Sequence, residues 1–284
     1  MPQGRHRTLK AGRVKGEKKA RALTHEQAQK LLAECEANPD LKLVVLLGLL
    51  AGLRRGEIFA LDFADIDWDR DLIHVRHNLS WRHGRHIKKN DGGTKFELTT
   101  PKTDNSVRTV DLSPKLKDAL WERYMESKMA GRTGLIFQSR AVGGIRQLDA
   151  KTWAVTIRNQ GVKTFHTKDE AEVYFHQPRT PFDPHNVAAR WFQAAVDRVL
   201  EKADKEMDEE TYTAFKGLTL HHLRHTFGSW KVAQGEDILY VSAQMGHARP
   251  SITFDVYSHL IDKRRPAAAA LTDEKLFGKA RRKD

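Results

Sequence analysis

The run Leu43 to Leu50 is apolar nearly all round at helical spacing, and it constrains the fold more than any other stretch of the chain. Such a helix cannot lie on a surface, so it predicts a core helix wrapped by other elements. The longer apolar run, Leu43 to Leu53, is broken by Gly48 and Gly52. It falls well short of the roughly 18–20 residues needed to span a membrane. Asn38-Pro39-Asp40 separates the run from an earlier amphipathic helix. Thr24 and Gln27 start that earlier helix as a capping box, and Ala28, Leu31, Leu32 and Cys35 continue it. Ala51-Gly52 lets the next element pack close.

Downstream the pattern alternates between helix and strand. Ile58 to Leu61 predicts a short helix. Phe63–Trp68, Leu72–Arg76, Phe96–Thr99 and Arg108–Leu112 read as strands, which predicts a small antiparallel sheet over residues 63–112. Lys102-Thr103-Asp104-Asn105-Ser106 supplies turn chemistry between the last two strands and puts Lys102 at or near a hairpin tip. Ser113 and Pro114 open a helix running to about Met129. Gly134 to Phe137 is a short buried segment. Residues 138–183 carry no firm pattern, although Val162 to Phe175 suits a strand and a helix. His185 to Ala203 is strongly amphipathic, Lys205 to Lys216 reads as a polar connection, and helices follow at about 219–232, 237–245 and 251–258. A short helix at Asp273–Lys279 closes the chain. The expected class is α+β, mostly helical with a small antiparallel sheet.

Charge narrows the partner. The 284 residues carry a net charge of +12, which points to an acidic partner, most simply nucleic acid. Residues 1–23 supply +7 of this and residues 261–284 supply +4, leaving about +1 for residues 24–260. A DNA-binding face on the globular part must therefore come from sorting charges rather than from an excess. Cys35 is the only cysteine, which excludes an internal disulfide and a Cys-based metal site and fits a reducing compartment. With a polar N-terminus and no membrane span, a soluble cytoplasmic protein is expected.

The chemistry gathers near the end of the chain, in Leu220-His221-His222-Leu223-Arg224-His225-Thr226-Phe227, then Gly246-His247, then Tyr257. Residues three apart share a helix face, so His221 and Arg224 project together and His222 turns away. A phosphodiester repels nucleophiles, and more negative charge builds in its transition state. Without a metal, cationic side chains must stabilise that charge. Arg54 and Arg224 suit the task, because a guanidinium stays charged and can donate two parallel hydrogen bonds. Tyr257 can serve as nucleophile, but a phenol with pKa about 10 needs a base or a positive field. His221 and His247 can hold protons near neutral pH. Lys102 can protonate a leaving oxygen. Each of these alone is ordinary: a surface arginine among 49 Lys+Arg, a packed tyrosine, a core histidine, a turn lysine. His221 and His225 have the spacing of a zinc pair, but no Glu follows His221, and no third ligand is in sight. No metal and no cofactor are expected.

In their order along the chain, Gly52-Leu53-Arg54-Arg55-Gly56-Glu57, Pro101-Lys102-Thr103 to Arg108, the His221 stretch, Gly246-His247 and Phe254 to His259 closely resemble the catalytic domain of the tyrosine recombinases, the phage integrase family. The resemblance covers residues 23 to about 260. Its Gly-Leu-Arg-x-x-Glu pattern selects Arg54 over Arg55, with Glu57 orienting it. It implies a catalytic set of Arg54, Lys102, His221, Arg224, His247 and Tyr257. It also implies that Tyr257 attacks the scissile phosphate of double-stranded DNA to give a 3′-phosphotyrosyl link, which a partner strand reverses without ATP or metal. A homotetramer on paired DNA sites is implied, with each tail packed on a neighbour. The expected organisation is then a basic linker or arm at 1–22, a catalytic domain at 23–260 and a basic tail at 261–284. Three departures stand out: no helical core-binding domain before residue 23, a long 138–183 segment, and His222 where an acidic residue is common. A non-catalytic DNA-binding regulator with the same fold and a type IB topoisomerase are the alternative readings.

Overall fold

Helix α2 (Pro39–Leu50) lies at the centre of the fold and buries Leu41, Leu43, Val44, Val45, Leu47 and Leu49, as its all-round apolar surface requires. Each such side chain taken from water stabilises the fold by about 1.5–3 kcal/mol. The structure is a computed structural model that describes residues 21–81, 96–99, 107–129, 134–138, 143–157, 161–176, 183–261 and 275–276. The residues of the expected arm and tail fall almost wholly outside it. Helix α9 (Leu220–Ala233) packs against α2 so closely that a Cβ on Gly48 would lie 3.0 Å from Leu223 Cβ.

Helix α1 (His25–Cys35) starts on the expected capping box, with the Gln27 amide donating to Thr24 Oγ1 at 3.1 Å and the Thr24 amide to Gln27 Oε1 at 3.0 Å. Just before it, Leu23 is tied to α9: its amide donates to Thr226 Oγ1, and its carbonyl accepts from Trp230 Nε1. Helix α3 (Arg55–Ala60) follows α2.

The sheet differs from expectation. Asp62 caps a 3₁₀ turn at Phe63–Asp65, leaving only Ile66–Asp67 as strand β1. Strand β2 (Leu72–Val75) pairs with β1 and with β5 (Arg108–Asp111), whereas β3 (Asn78–Trp81) pairs with β4 (Phe96–Thr99). The single predicted sheet is thus two separate antiparallel ladders. The strands on either side of Lys102, β4 and β5, do not pair with each other. Asn78↔Thr99 and Val75↔Arg108 are the end pairs of the two ladders. Lys102 itself lies outside the described residues.

Helix α4 (Pro114–Met129) runs as expected. The unread stretch contains strands β6 (Gly143–Asp149), β7 (Thr152–Ile157) and β8 (Gly161–Phe165) in an antiparallel meander, followed by helix α5 (Lys168–His176). The predicted helix from His185 is not uniform. A short α6 (Pro184–Asn186) leads into a π-helical turn at Val187–Phe192 before α7 (Gln193–Lys205). The expected polar connection at Lys205–Lys216 holds helix α8 (Glu209–Phe215), capped by Asp208 and anchored by buried Thr211 and Phe215. A seven-residue helix needs only two inward residues, too few to register as periodicity. Helices α10 (Ile238–Met245) and α11 (Pro250–Tyr257) finish the described body. Among the described residues, no helix is long and apolar enough to cross a membrane.

Candidate active site

Two glycines shape the backbone of the site. Gly52, after α2, has φ +62°, and a Cβ there would lie 2.5 Å from a Phe227 ring carbon. Gly246 ends α10 in the left-handed conformation, φ +61°, with Arg108 Cδ 2.8 Å from where its Cβ would stand. Only glycine fits either position without strain. Both carbonyls accept from arginines. Arg224 Nη1 donates to Gly52 O at 2.6 Å, and Arg54 Nη2 donates to Gly246 O at 2.6 Å.

The last carbonyls of α10 form the hub. Gln244 O accepts from Arg108 Nε at 2.7 Å, Met245 O accepts from Arg224 Nη2, and Gly246 O accepts from Arg54. A helix C-terminus carries about half a negative charge on such unsatisfied carbonyls, which explains why cations collect there. Three guanidiniums thereby fix the turn that carries His247.

A carboxylate holds two of them together. Glu57, 3% exposed, accepts both arms of the Arg108 fork at 2.9 Å each. It also accepts the Arg54 amide at 2.8 Å and Arg54 Nη1 at 2.7 Å. Burial pushes the Glu57 carboxyl up, but Arg108 and Arg54 outweigh it and hold it near 2. Burial lowers Arg224, and neighbouring Arg54 adds to this, bringing it to about 9, so it remains charged at neutral pH. Three guanidiniums against one carboxylate leave an excess of positive charge, a setting built for an anion. Arg54 is the most open of the three, at 34% side-chain exposure against 5% for Arg108. It faces a cleft of about 740 Å³ lined also by Asn78, Ser80, His185, Phe192 and His221. The π-helical turn before α7 forms one wall.

The histidines separate into distinct environments. His222 turns away, as the helical spacing predicts, and its Nδ1 accepts the Thr219 amide at 2.9 Å. His221 and His225 contact edge to face, with ring centroids 4.7 Å apart. His247 Nδ1 lies 2.7 Å from Thr253 Oγ1. Burial, then Arg224 and Arg54, lowers His247 to about 3; burial, then His221, lowers His225 to about 4; burial, then Arg224, lowers His221. Imidazoles lowered in this way stay neutral at pH 7 and add no charge of their own to the site.

Tyr257, at the end of α11, is fully covered. Its hydroxyl lies 2.9 Å from His225 Nδ1. The ring rests on Gly228, where a Cβ would come within 2.7 Å of Tyr257 Cζ. Burial pushes the phenol up to about 12, against the field of Arg224. In this arrangement the hydroxyl is sheltered from solvent. Among the described residues, no group of three or more His, Cys, Asp or Glu side chains could hold a metal ion.

The structure therefore brings Arg54, Arg224 and His247 to one carbonyl hub, with His221 beside Arg54 at the cleft. It places Tyr257 against α9, bonded to His225. Two contributors escaped the sequence reading. Arg108 shares the inward face of β5 with buried Val110, and a charged residue two positions from a core residue is a signal that could have revealed it. His225 was weighed only as a zinc partner, although it stands one helical turn beyond His221 on the same face.

Comparison with known proteins identifies the family and the fold. The phage integrase family model matches residues 21–264. The prophage integrase IntR of Escherichia coli strain K12 is 24% identical over 226 residues, 80% of this chain and 44% of that protein. The ICEBs1 integrase of Bacillus subtilis strain 168 is 25% identical over 230 residues, 81% of this chain and 48% of that protein. The chain thus spans about half the length of the curated relatives it matches. In fold it is similar to the Tn1549 transposon integrase, solved in complex with circular intermediate DNA, with a TM-score of 0.53 at 18% identity, covering 90% of this chain and 66% of that one. With the family pattern matched across nearly all of its folded part, the chain belongs to the phage integrase family, the tyrosine recombinases.

Proposed function

We propose that this chain cuts and rejoins double-stranded DNA through Tyr257. Arg54 and Arg224 bind the non-bridging oxygens of the scissile phosphate and stabilise the charge that builds there. Tyr257 Oη attacks phosphorus, its proton passing to a neutral imidazole, and the bond to the 5′ oxygen breaks as Lys102 protonates it. The product is a 3′-phosphotyrosyl link and a free 5′-hydroxyl. The hydroxyl of a partner strand then attacks the link and releases the phenol. His221 and His247 position the phosphate and hold protons. Four protomers on paired sites would complete an exchange, and the solved complex of a related integrase with DNA supports duplex DNA as the substrate.

The observation that carries this reading is the convergence of Arg54 and Arg224 on the α10 terminus beside His247, with Tyr257 packed against the same α9 helix. A nicked suicide duplex tests it. The wild-type chain should accumulate covalent adduct, and Tyr257→Phe should bind DNA equally well and form none. A second reading, DNA binding without cleavage, is favoured by the full burial of Tyr257. Absence of adduct from the wild-type chain on saturating DNA would select it.

A further inference from the structure

Helix α9 receives Tyr257 through two residues three apart, His225 and Gly228, which therefore share one face. Gly228 is the seat: a Cβ there would stand 2.7 Å from Tyr257 Cζ and 2.8 Å from its hydroxyl oxygen. His225 is the partner, with Nδ1 2.9 Å from that oxygen. Among the described residues, the Tyr257 hydroxyl has no second hydrogen-bond partner. The other imidazoles of the site are engaged elsewhere. His247 Nδ1 meets Thr253, His222 Nδ1 accepts the Thr219 amide, and His221 stands exposed on the wall of the cleft.

The direction of the bond follows from counting hydrogens. Burial pushes the phenol up to about 12, so it carries its proton at neutral pH. A hydrogen on His225 Nδ1 would leave the phenol hydrogen buried without an acceptor, which is costly. Nδ1 therefore accepts, and the hydrogen of the ring sits on Nε2. Burial, then His221, His222 and Arg224, lower His225 and keep Nδ1 bare before substrate arrives. A phosphate held by Arg224 and Arg54 brings negative charge that offsets the field of the arginine. The imidazole thus becomes a stronger base once the phosphate is in place.

We propose that His225 is the catalytic base for Tyr257, taking the phenol proton on Nδ1 as the oxygen attacks phosphorus. This rests on the recombinase reading and names the imidazole that reading needs. As the Oη–P bond forms, the O–H electrons remain on the tyrosine oxygen and the proton moves to His225. The P–O5′ bond breaks with its electron pair on the 5′ oxygen, which takes a proton from Lys102. On rejoining, the hydroxyl of the partner strand displaces the phenol, and His225 returns the proton to it.

Isotope labelling of the histidine nitrogens in the full chain, read by NMR, tests the hydrogen at His225 without any cleavage. Nδ1 should be bare at pH 7, and Tyr257→Phe should shift its resonance while leaving that of His222 unchanged. A hydrogen on Nδ1 in the wild-type chain would overturn the proposal. Single-turnover adduct formation on the suicide duplex then compares wild type with His225→Asn, which offers an acceptor oxygen but cannot take a proton. Expected is unchanged DNA affinity, with adduct forming on the order of 10²-fold more slowly at pH 7. Across pH 7–8 the wild-type rate should be flat. His221, His222 and His225 are all lowered, Arg224 titrates at about 9 and Tyr257 at about 12. The Asn variant should instead gain about tenfold over that unit, as the phenolate fraction does below its pKa. A His225→Asn chain with the wild-type rate and a flat profile would overturn the proposal. Adduct from neither chain, with Nδ1 bare, would defeat the recombinase reading itself and this role with it.

Discussion

The carbonyl hub at the end of α10 and the β6–α5 unit handle charge in opposite ways. In the hub, Arg108, Arg224 and Glu57 are almost wholly buried, and each is held by several hydrogen bonds. In the β6–α5 unit, Arg146, Lys151 and Lys163 stand on the surface around a core of five partly or fully buried side chains. Buried charge must be matched atom by atom, which fixes geometry tightly. Exposed charge can be moved with little cost, so it leaves geometry loose. One region fixes its charges in a single geometry; the other leaves them free to move.

The largest expected effect breaks the buried side. Glu57→Ala strands the Arg108 guanidinium in the core and should cost about 3–5 kcal/mol in denaturant unfolding. The acid limb of stability sharpens the same point. The folded Glu57 carboxyl titrates near 2, below its ordinary 4.5, so its contribution is complete above 4.5 and disappears as pH falls toward 2. Glu57→Gln should therefore flatten the fall in melting temperature across that window relative to wild type.

Next in size, Leu47→Ala in the α2 core should cost about 2–5 kcal/mol, whereas Val155→Ala in the small core should loosen β6–β8 and leave the main unfolding transition in place. Hydrogen exchange resolved along the chain would check this. A shared loss of protection after Val155→Ala would show that the two cores are one cooperative unit.

Smaller again, Arg108→Lys keeps the charge and loses the fork to Glu57. Stability should drop by about 1–2 kcal/mol. The rate of adduct formation should fall by about tenfold with DNA affinity unchanged, because Arg54 and the His247 turn would be less well held. An equal loss in affinity would make Arg108 a DNA contact instead of a positioning residue.

The same contrast explains what the sequence revealed. Helices α1, α2, α9, α10 and α11 were legible because caps such as Thr24 and an all-apolar run like Leu43 to Leu50 are local signals. The contact between Arg54 and Glu57 was expected from the family resemblance, whose Gly-Leu-Arg-x-x-Glu pattern couples them. The Arg108–Glu57 pair was not, since it joins residues 51 apart through tertiary packing. The bond between Tyr257 and His225 depends on how α11 docks against α9, which no local pattern encodes. Within the β6–α5 unit the strand and helix over Val162 to Phe175 were legible as β8 and α5, whereas β6 and β7 escaped because a core this small leaves little alternation to read, and α8 because its inward face is two residues.

The most direct test of the central claim, that this arginine-held site performs tyrosine chemistry on DNA, is to map the adduct on a suicide duplex by digestion and mass spectrometry. The account predicts one nucleotide-bearing peptide, with the modification on Tyr257. A link to any other tyrosine, or to a serine or histidine, would contradict it.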